Sequence, residues 1–142
     1  MSADVNKALA RRELEEIFTQ GNLDAAQEIY APNVLIHQSA TAAIPAGEDI
    51  HGVQAARQIA AARRRAFPDL QITIEDQIAE ADKVATRFKA RGTHLGGLAG
   101  RAPTGKEVEL TGINMCRIEG GKIAEHWPYA DILGMMRQLG FF

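Results

Sequence analysis

At Pro68 the period of the hydrophobic pattern changes. Ahead of it, apolar residues fall roughly on one side of a helix, as Val5, Leu9, Ile17 and Phe18 do; beyond it they alternate, as in Val84-Ala85-Thr86-Arg87-Phe88-Lys89-Ala90-Arg91. Helices first and antiparallel strands afterwards restrict the chain to an α+β layer fold. The two-residue period turns Val84, Thr86, Phe88 and Ala90 inward and leaves Arg87, Lys89 and Arg91 in water. With 142 residues, 46% hydrophobic and 24% charged, residues 1–142 make one domain with a substantial core.

Ser2 or Asp4 can cap a first helix running to about Gln20, ended by Gly21-Asn22, and a shorter helix follows from Leu23 to Tyr30. Ala31-Pro32-Asn33 reads as a stop, and Val34 to His37 as a short strand. Gln38 to Gly52 lacks periodicity and reads as a loop or flap beside that strand. A third, alanine-rich helix from Val53 ends at Phe67 because Pro68 disfavours helical backbone in the residue before it. Leu70–Ile74, Lys83–Thr93, Val108–Ile118 and Lys122–Trp127 read as strands, the last two joined by Gly120-Gly121. Asp131 is placed to cap a final short helix reaching Leu139.

A net charge of −2 supplies no basic field for nucleic acid or an anionic membrane. No window approaches the roughly 20 apolar residues of a membrane span, and the N-terminus lacks a signal-peptide core. The single cysteine, Cys116, has no internal partner and suits a reducing compartment, so a cytoplasmic location is expected. Arg63-Arg64-Arg65, flanked by alanines, reads as a solvated face or charge cluster.

Three segments in order carry a family resemblance. They are Phe67-Pro68-Asp69-Leu70; then Arg91-Gly92-Thr93-His94 with Gly96, Leu98, Gly100 and Pro103-Thr104-Gly105; then Arg117-Ile118, Gly121-Lys122-Ile123 and Glu125-His126-Trp127, closing in Arg137-Gln138-Leu139-Gly140. The chain resembles the SnoaL-like polyketide (ester) cyclases, within the NTF2-like superfamily. The resemblance implies an NTF2-like (cystatin-like) cone: a curved antiparallel sheet packed with three N-terminal helices around a mostly apolar pocket. It also implies an intramolecular aldol reaction without metal or organic cofactor, and a homodimer or homotetramer. The expected ligand is an apolar or aromatic small molecule.

In those cyclases a last-strand aspartate serves as acid/base. Its place here, two residues after His126, holds Pro128, which cannot transfer a proton, and a pocket histidine of the family matches Asn114. The catalytic candidates are therefore His37, His126 and Asp131, since a histidine with an orienting carboxylate makes a workable base. Asn114, Phe88, Trp127, Tyr129 and Cys116 are the candidates for lining the pocket. His94 reads as part of a hairpin connection and His51 as exposed. The four histidines show no i,i+4 pair, so a metal site is not expected. The reading is aldol cyclisation or isomerisation; the alternatives are epoxide or ester hydrolysis on the same fold, or a non-catalytic binding or dimerisation module.

Overall fold

Ser2 starts the first helix, its hydroxyl accepting the Val5 N–H at 3.2 Å. A computed structural model of the chain describes residues 2–37, 49–98 and 100–141. Helix α1 (Ala3–Arg12) passes directly into a π-helical segment, Glu13–Thr19. The α-helix expected as far as Gln20 is thus widened over its second half, and Glu13, Leu14, Ile17 and Phe18 are all buried there. After a 3₁₀ turn (Leu23–Ala25) and α2 (Ala26–Ile29) comes β1 (Tyr30–Ile36). This strand begins four residues earlier than expected. Pro32 is accommodated because the register with the neighbouring strand shifts between Tyr30 and Leu35, and such irregularities tolerate proline.

The flap expected from Gln38 to Gly52 lies mostly outside the described residues; its end forms β2 (Ile50–His51). Helix α3 (Val53–Ala66) stops before Pro68 as anticipated. Then follow β3 (Gln71–Glu80), β4 (Lys83–Thr93), β5 (Glu107–Glu119), β6 (Lys122–Ala130) and α4 (Ile132–Gln138). Strand β3 is twice the expected length. Its register shift between Ile74 and Asp76 interrupts the alternation that marks a strand in sequence. Gly120 and Gly121 both have positive φ, 59° and 77°, as a tight hairpin turn requires.

The six strands form one sheet in the order β2-β1-β6-β5-β4-β3. Among the described residues every pairing of these strands is antiparallel except that of β1 with β6, a parallel exception to the expected antiparallel sheet. The cross-strand partners Thr86, Asn114 and Pro128 share one face with Val84, Cys116 and His126. Arg87, Ile113 and Tyr129 share the other. A third shift, between Arg117 and Ile118, gives β6 one extra residue at Ala124, so that Ile123 and His126 both face inward.

The helices close over the inner face. Ile17, Phe18, Ile29, Tyr30, Val34, Phe88 and Ile123 belong to the main core cluster, where each fully buried large apolar side chain contributes about 1.5–3 kcal/mol. Gly112 has no room for a side chain: a Cβ would lie 2.7 Å from the Phe88 ring and 2.6 Å from the Tyr129 carbonyl. A second cluster of Ala66, Phe67, Val108, Met135, Met136 and Leu139 anchors α4. His94 is fully buried, and its Nδ1 accepts the Thr104 N–H at 3.1 Å, in keeping with a connecting role. Among the described residues no helix is long and apolar enough to cross a membrane.

The arginine run is not one solvated face. Arg64 donates through Nη1 to the carbonyls of Phe18 (3.3 Å), Thr19 (3.1 Å) and Leu70 (3.1 Å), joining the end of the π-helical segment to the approach of β3. Three acceptors share the two hydrogens of one nitrogen, so together these contacts contribute about what one well-formed charged hydrogen bond does, roughly 1.5–3 kcal/mol. Arg64→Met should therefore lower unfolding stability by about 2–3 kcal/mol in urea titration, while Arg65→Met changes it by less than about 0.5 kcal/mol. Equal effects would show that Arg64 does not hold this junction.

Candidate active site

Leu9, Glu13 and Ile17 recur every four residues, so the apolar stripe of the first helical segment carries a carboxylate in its middle. Glu13 is buried, its side chain 3% exposed, and two donors from separate strands meet one of its oxygens. The Tyr30 hydroxyl, at the start of β1, donates to Oε2 at 2.5 Å. His126, on the inner face of β6, brings Nδ1 to 3.2 Å from the same atom. An ionised carboxylate only accepts, so Nδ1 carries the proton and, in the neutral ring, Nε2 keeps its lone pair. Among the described residues that Nε2 is buried without a hydrogen-bond partner.

Burial alone would raise the Glu13 carboxyl. The His126 contact, the Tyr30 hydroxyl and the positive field of Arg63 outweigh it, and Glu13 is held below the usual carboxylate range. The Tyr30 phenol moves well above its ordinary value, first through burial and then through Glu13, so it acts as a donor only. Cys116 lies across the strand pair from His126; burial, reinforced by Glu13, pushes its thiol up to about 12. It is a neutral filler at physiological pH.

Two of the groups around this dyad were not legible as site residues. Glu13 stands in a charged stretch with Glu15 and Glu16, and its spacing from Leu9 and Ile17 is the signal that separates it from them. Arg63, read as part of a solvated face or charge cluster, is exposed, yet it follows Ala56 and Ala60 at intervals of four and three along α3. Ala56, Ala60 and Phe67 are buried, and the Arg63 guanidinium sits 5.5 Å from the centre of the Phe18 core ring.

Of the residues expected to line the interior, Phe88, Asn114, Cys116 and His126 do face inward. Trp127 and Tyr129 do not. The register shift at Ala124 leaves them on the outer face, where Tyr129 is 60% exposed. His37 is also outside: its ring stacks on Trp127 with centroids 5.2 Å apart, and Nε2 lies 2.7 Å from Glu125 Oε2. Asp49 stands 3.3 Å from its Nδ1, and Arg117 holds the other Glu125 oxygen at 3.2 Å. Asp131 is exposed and caps α4, accepting the Gly134 N–H at 2.9 Å. It is five residues from His126, about 16 Å along an extended strand. The histidine's carboxylate partner is Glu13 and not Asp131. No three His, Cys, Asp or Glu side chains among the described residues converge as a metal site.

The SnoaL-like polyketide cyclase family matches residues 8–139. The aklanonic acid methyl ester cyclase DnrD of Streptomyces peucetius is 39% identical over 57 residues, which are 40% of this chain and 39% of that one. The match thus spans about two fifths of this curated relative. Among solved structures, IdmH of Streptomyces antibioticus superposes with a TM-score of 0.80 at 33% identity, covering 95% of this chain and 98% of its own. TsrD of Streptomyces laurentii reaches 0.86 at 23% identity over 100% and 99%, a likeness of fold. A cystatin-like protein from Xanthomonas campestris shares the fold at 0.72.

Two measurements check this electrostatic arrangement. Tyr30→Phe strips a donor from a buried carboxylate and should cost about 1–3 kcal/mol at neutral pH. Because Glu13 is depressed when folded, its contribution exists above the unfolded carboxyl value and is lost as pH falls through the folded one. The variant's acid-unfolding midpoint, followed by circular dichroism, should therefore move up in pH; an unmoved midpoint would refute the assignment. On the outer face the Glu125 hydrogen bond raises His37, and His37 lowers Glu125. The histidine's share is complete below about pH 6.5 and vanishes as pH rises through its raised folded value. His37→Gln should accordingly be less stable than the parent by about 0.5–1 kcal/mol in weak acid and nearly equal to it in mild alkali. A pH-independent difference would exclude the ion pair as its source.

Proposed function

We propose, for a chain that belongs to the SnoaL-like polyketide cyclase family, that its interior performs cofactor-independent proton transfer ending in intramolecular aldol closure of a polyketide-like carbonyl compound. The observation that carries this reading is the buried, unpartnered Nε2 of His126, with Nδ1 bonded to an ionised Glu13. A base so held needs no rotation before reaction, and the imidazolium it becomes is stabilised by the carboxylate already beside it.

Each step balances without a co-reactant. Nε2 takes the proton from a carbon next to a carbonyl, and the C–H electron pair moves into the enolate. The enolate carbon then attacks a second carbonyl of the same molecule; a C–C bond forms and the π pair moves to oxygen as alkoxide. The imidazolium returns its proton to that oxygen, leaving the dyad as it began. Asn114, half-buried on the inner face opposite Pro128, is within the same layer and offers an amide donor to a developing oxyanion. Support for the substrate class comes from the ester cyclase relatives, which carry that activity in their names.

His126→Gln should reduce turnover of an anthraquinone-type polyketide methyl ester by about 10²–10⁴-fold. Glu13→Gln, which leaves the histidine but not the fixed tautomer, should reduce it by at least about tenfold. Exchange of the acidic carbon's hydrogen with deuterated solvent, read by NMR, should fall in parallel. Full turnover in a folded His126→Gln protein, its urea midpoint unchanged, would remove this residue from the chemistry.

A further inference from the structure

Two consecutive residues of β6 point to opposite sides of the sheet, and each makes a charged contact. His126 turns inward, with Nδ1 3.2 Å from Glu13 Oε2. Glu125 turns outward, with Oε2 2.7 Å from His37 Nε2. The strand that His37 directly follows, β1, begins with Tyr30, the second donor to Glu13. The placement of β1 against β6 therefore sets where tyrosine and histidine meet the carboxylate.

The backbone alone holds that placement weakly. In this parallel pair Tyr30, Leu35 and Ile36 are partnered with Ile123, Glu125 and His126, and the register shifts between Tyr30 and Leu35. Parallel pairing is slightly less stable per residue, and an irregularity disrupts the ladder further. Glu13 supplements it from inside. On the outer face His37 does so: Asp49, which leads into β2, stands 3.3 Å from Nδ1, opposite the Nε2 that meets Glu125. The His37 N–H also donates to the His126 carbonyl at 2.9 Å. Arg117 on β5 pairs with both Glu125 and Glu119 at 3.2 Å, Trp127 stacks on the His37 ring, and Lys83 on β4 lies 6.0 Å from the Trp127 ring centre. Among the described residues His51, the other histidine of this edge, makes no ion pair. The side chains of His37 and Glu125 are only 30% and 21% exposed, so solvent screens them incompletely.

A charged imidazole has one N–H for each carboxylate; a neutral one leaves a carboxylate facing a lone pair. The Glu125 hydrogen bond, with Asp49 behind it, outweighs burial and keeps the ring charged to higher pH than usual. We propose that His37 is a positioning residue for His126: its charged ring clasps β2 and β1 to β6 from the outer face and so keeps the inner histidine against Glu13. The inference rests on the reading of His126 as the base, and adds what fixes the strand that carries it. The clasp is complete in weak acid and is lost as pH rises through the His37 value.

The test follows the full chain from about pH 6 to about pH 9 by amide hydrogen exchange, by proton NMR of the His126 Nδ1–H and by turnover of the anthraquinone-type methyl ester. In wild-type protein, protection of the His37 amide, corrected for intrinsic exchange, should fall by at least about threefold across the range, and the Nδ1–H signal should weaken with it. His37→Gln should show the lower protection and the weaker signal at every pH. His37→Arg, a permanent planar cation that also stacks on tryptophan, should restore both at each end of the range. Turnover by His37→Gln relative to wild type should be down about threefold in weak acid and equal in mild alkali, whereas a general loss of structure would depress it at every pH. Exchange and NMR need no turnover, so they decide the clasp even if His126→Gln stays active and the base assignment fails. Equal protection in His37→Gln and wild type in weak acid, or an Nδ1–H signal indifferent to residue 37, overturns the inference.

Discussion

The Glu13 carboxylate is the interaction on which the interior depends. A lone ionised carboxylate in such a place costs several kcal/mol, and it persists because two donors reach one oxygen. Those donors come from the first residue of β1 and from the middle of β6, so one side chain fastens the π-helical segment to both strands. The widened helical turn begins at this residue, as π-helical segments frequently do where a side chain must be aimed. The same contact selects the tautomer of His126. On the proposed reading stability and chemistry meet in one group, and replacing it with an apolar residue would relieve the desolvation cost while abolishing the orientation.

Two irregularities in the sheet decide which side chains can take part. Without the extra residue at Ala124, a strict two-residue period would put Ile123 and His126 on opposite faces; with it both are inside and Glu125 and Trp127 are outside. The irregularity between Ile74 and Asp76 does likewise for β3, keeping Ile72 and Ile74 within the core and turning Ile78 outward, 67% exposed. The outer face therefore carries its own charged cluster, a histidine between two carboxylates with Arg117 behind, separated from the inner dyad by the thickness of the sheet.

Period and turn chemistry made most of the architecture legible. The change at Pro68, the alternation of Lys83–Thr93 and the Gly120-Gly121 turn led to an α+β layer fold with the inner face correctly assigned on β4 and β5. Pattern failed where geometry departs from a regular repeat: β3 beyond Ile74, β1 before Val34, and the second half of the first helix. The site was half legible. Asn114, Cys116 and Phe88 point inward because alternation holds there, and His126 does so beyond the extra residue at Ala124. Glu13 escaped because charged residues in charged runs read as solvated; only its position on the stripe of Leu9 and Ile17 distinguishes it. Asp131 misled because its value as a cap and its nearness in sequence to His126 are unrelated to distance across the fold.

On the proposed reading the acid/base function has moved away from position 128 without loss of the fold. Residues two apart on a strand share a face about 6.6 Å apart, so His126 and Pro128 address the same interior from adjacent inward positions. The resemblance to the cyclases puts a carboxylate at 128; a proline there ends any proton transfer from that side chain. A histidine one inward step away can assume the task only if something fixes its tautomer and stabilises its charged form, and an unsupported imidazole would do neither well. Glu13 meets both conditions from the opposite layer. On the proposed reading, the carboxylate has not vanished from the site but now acts from the helix through an imidazole.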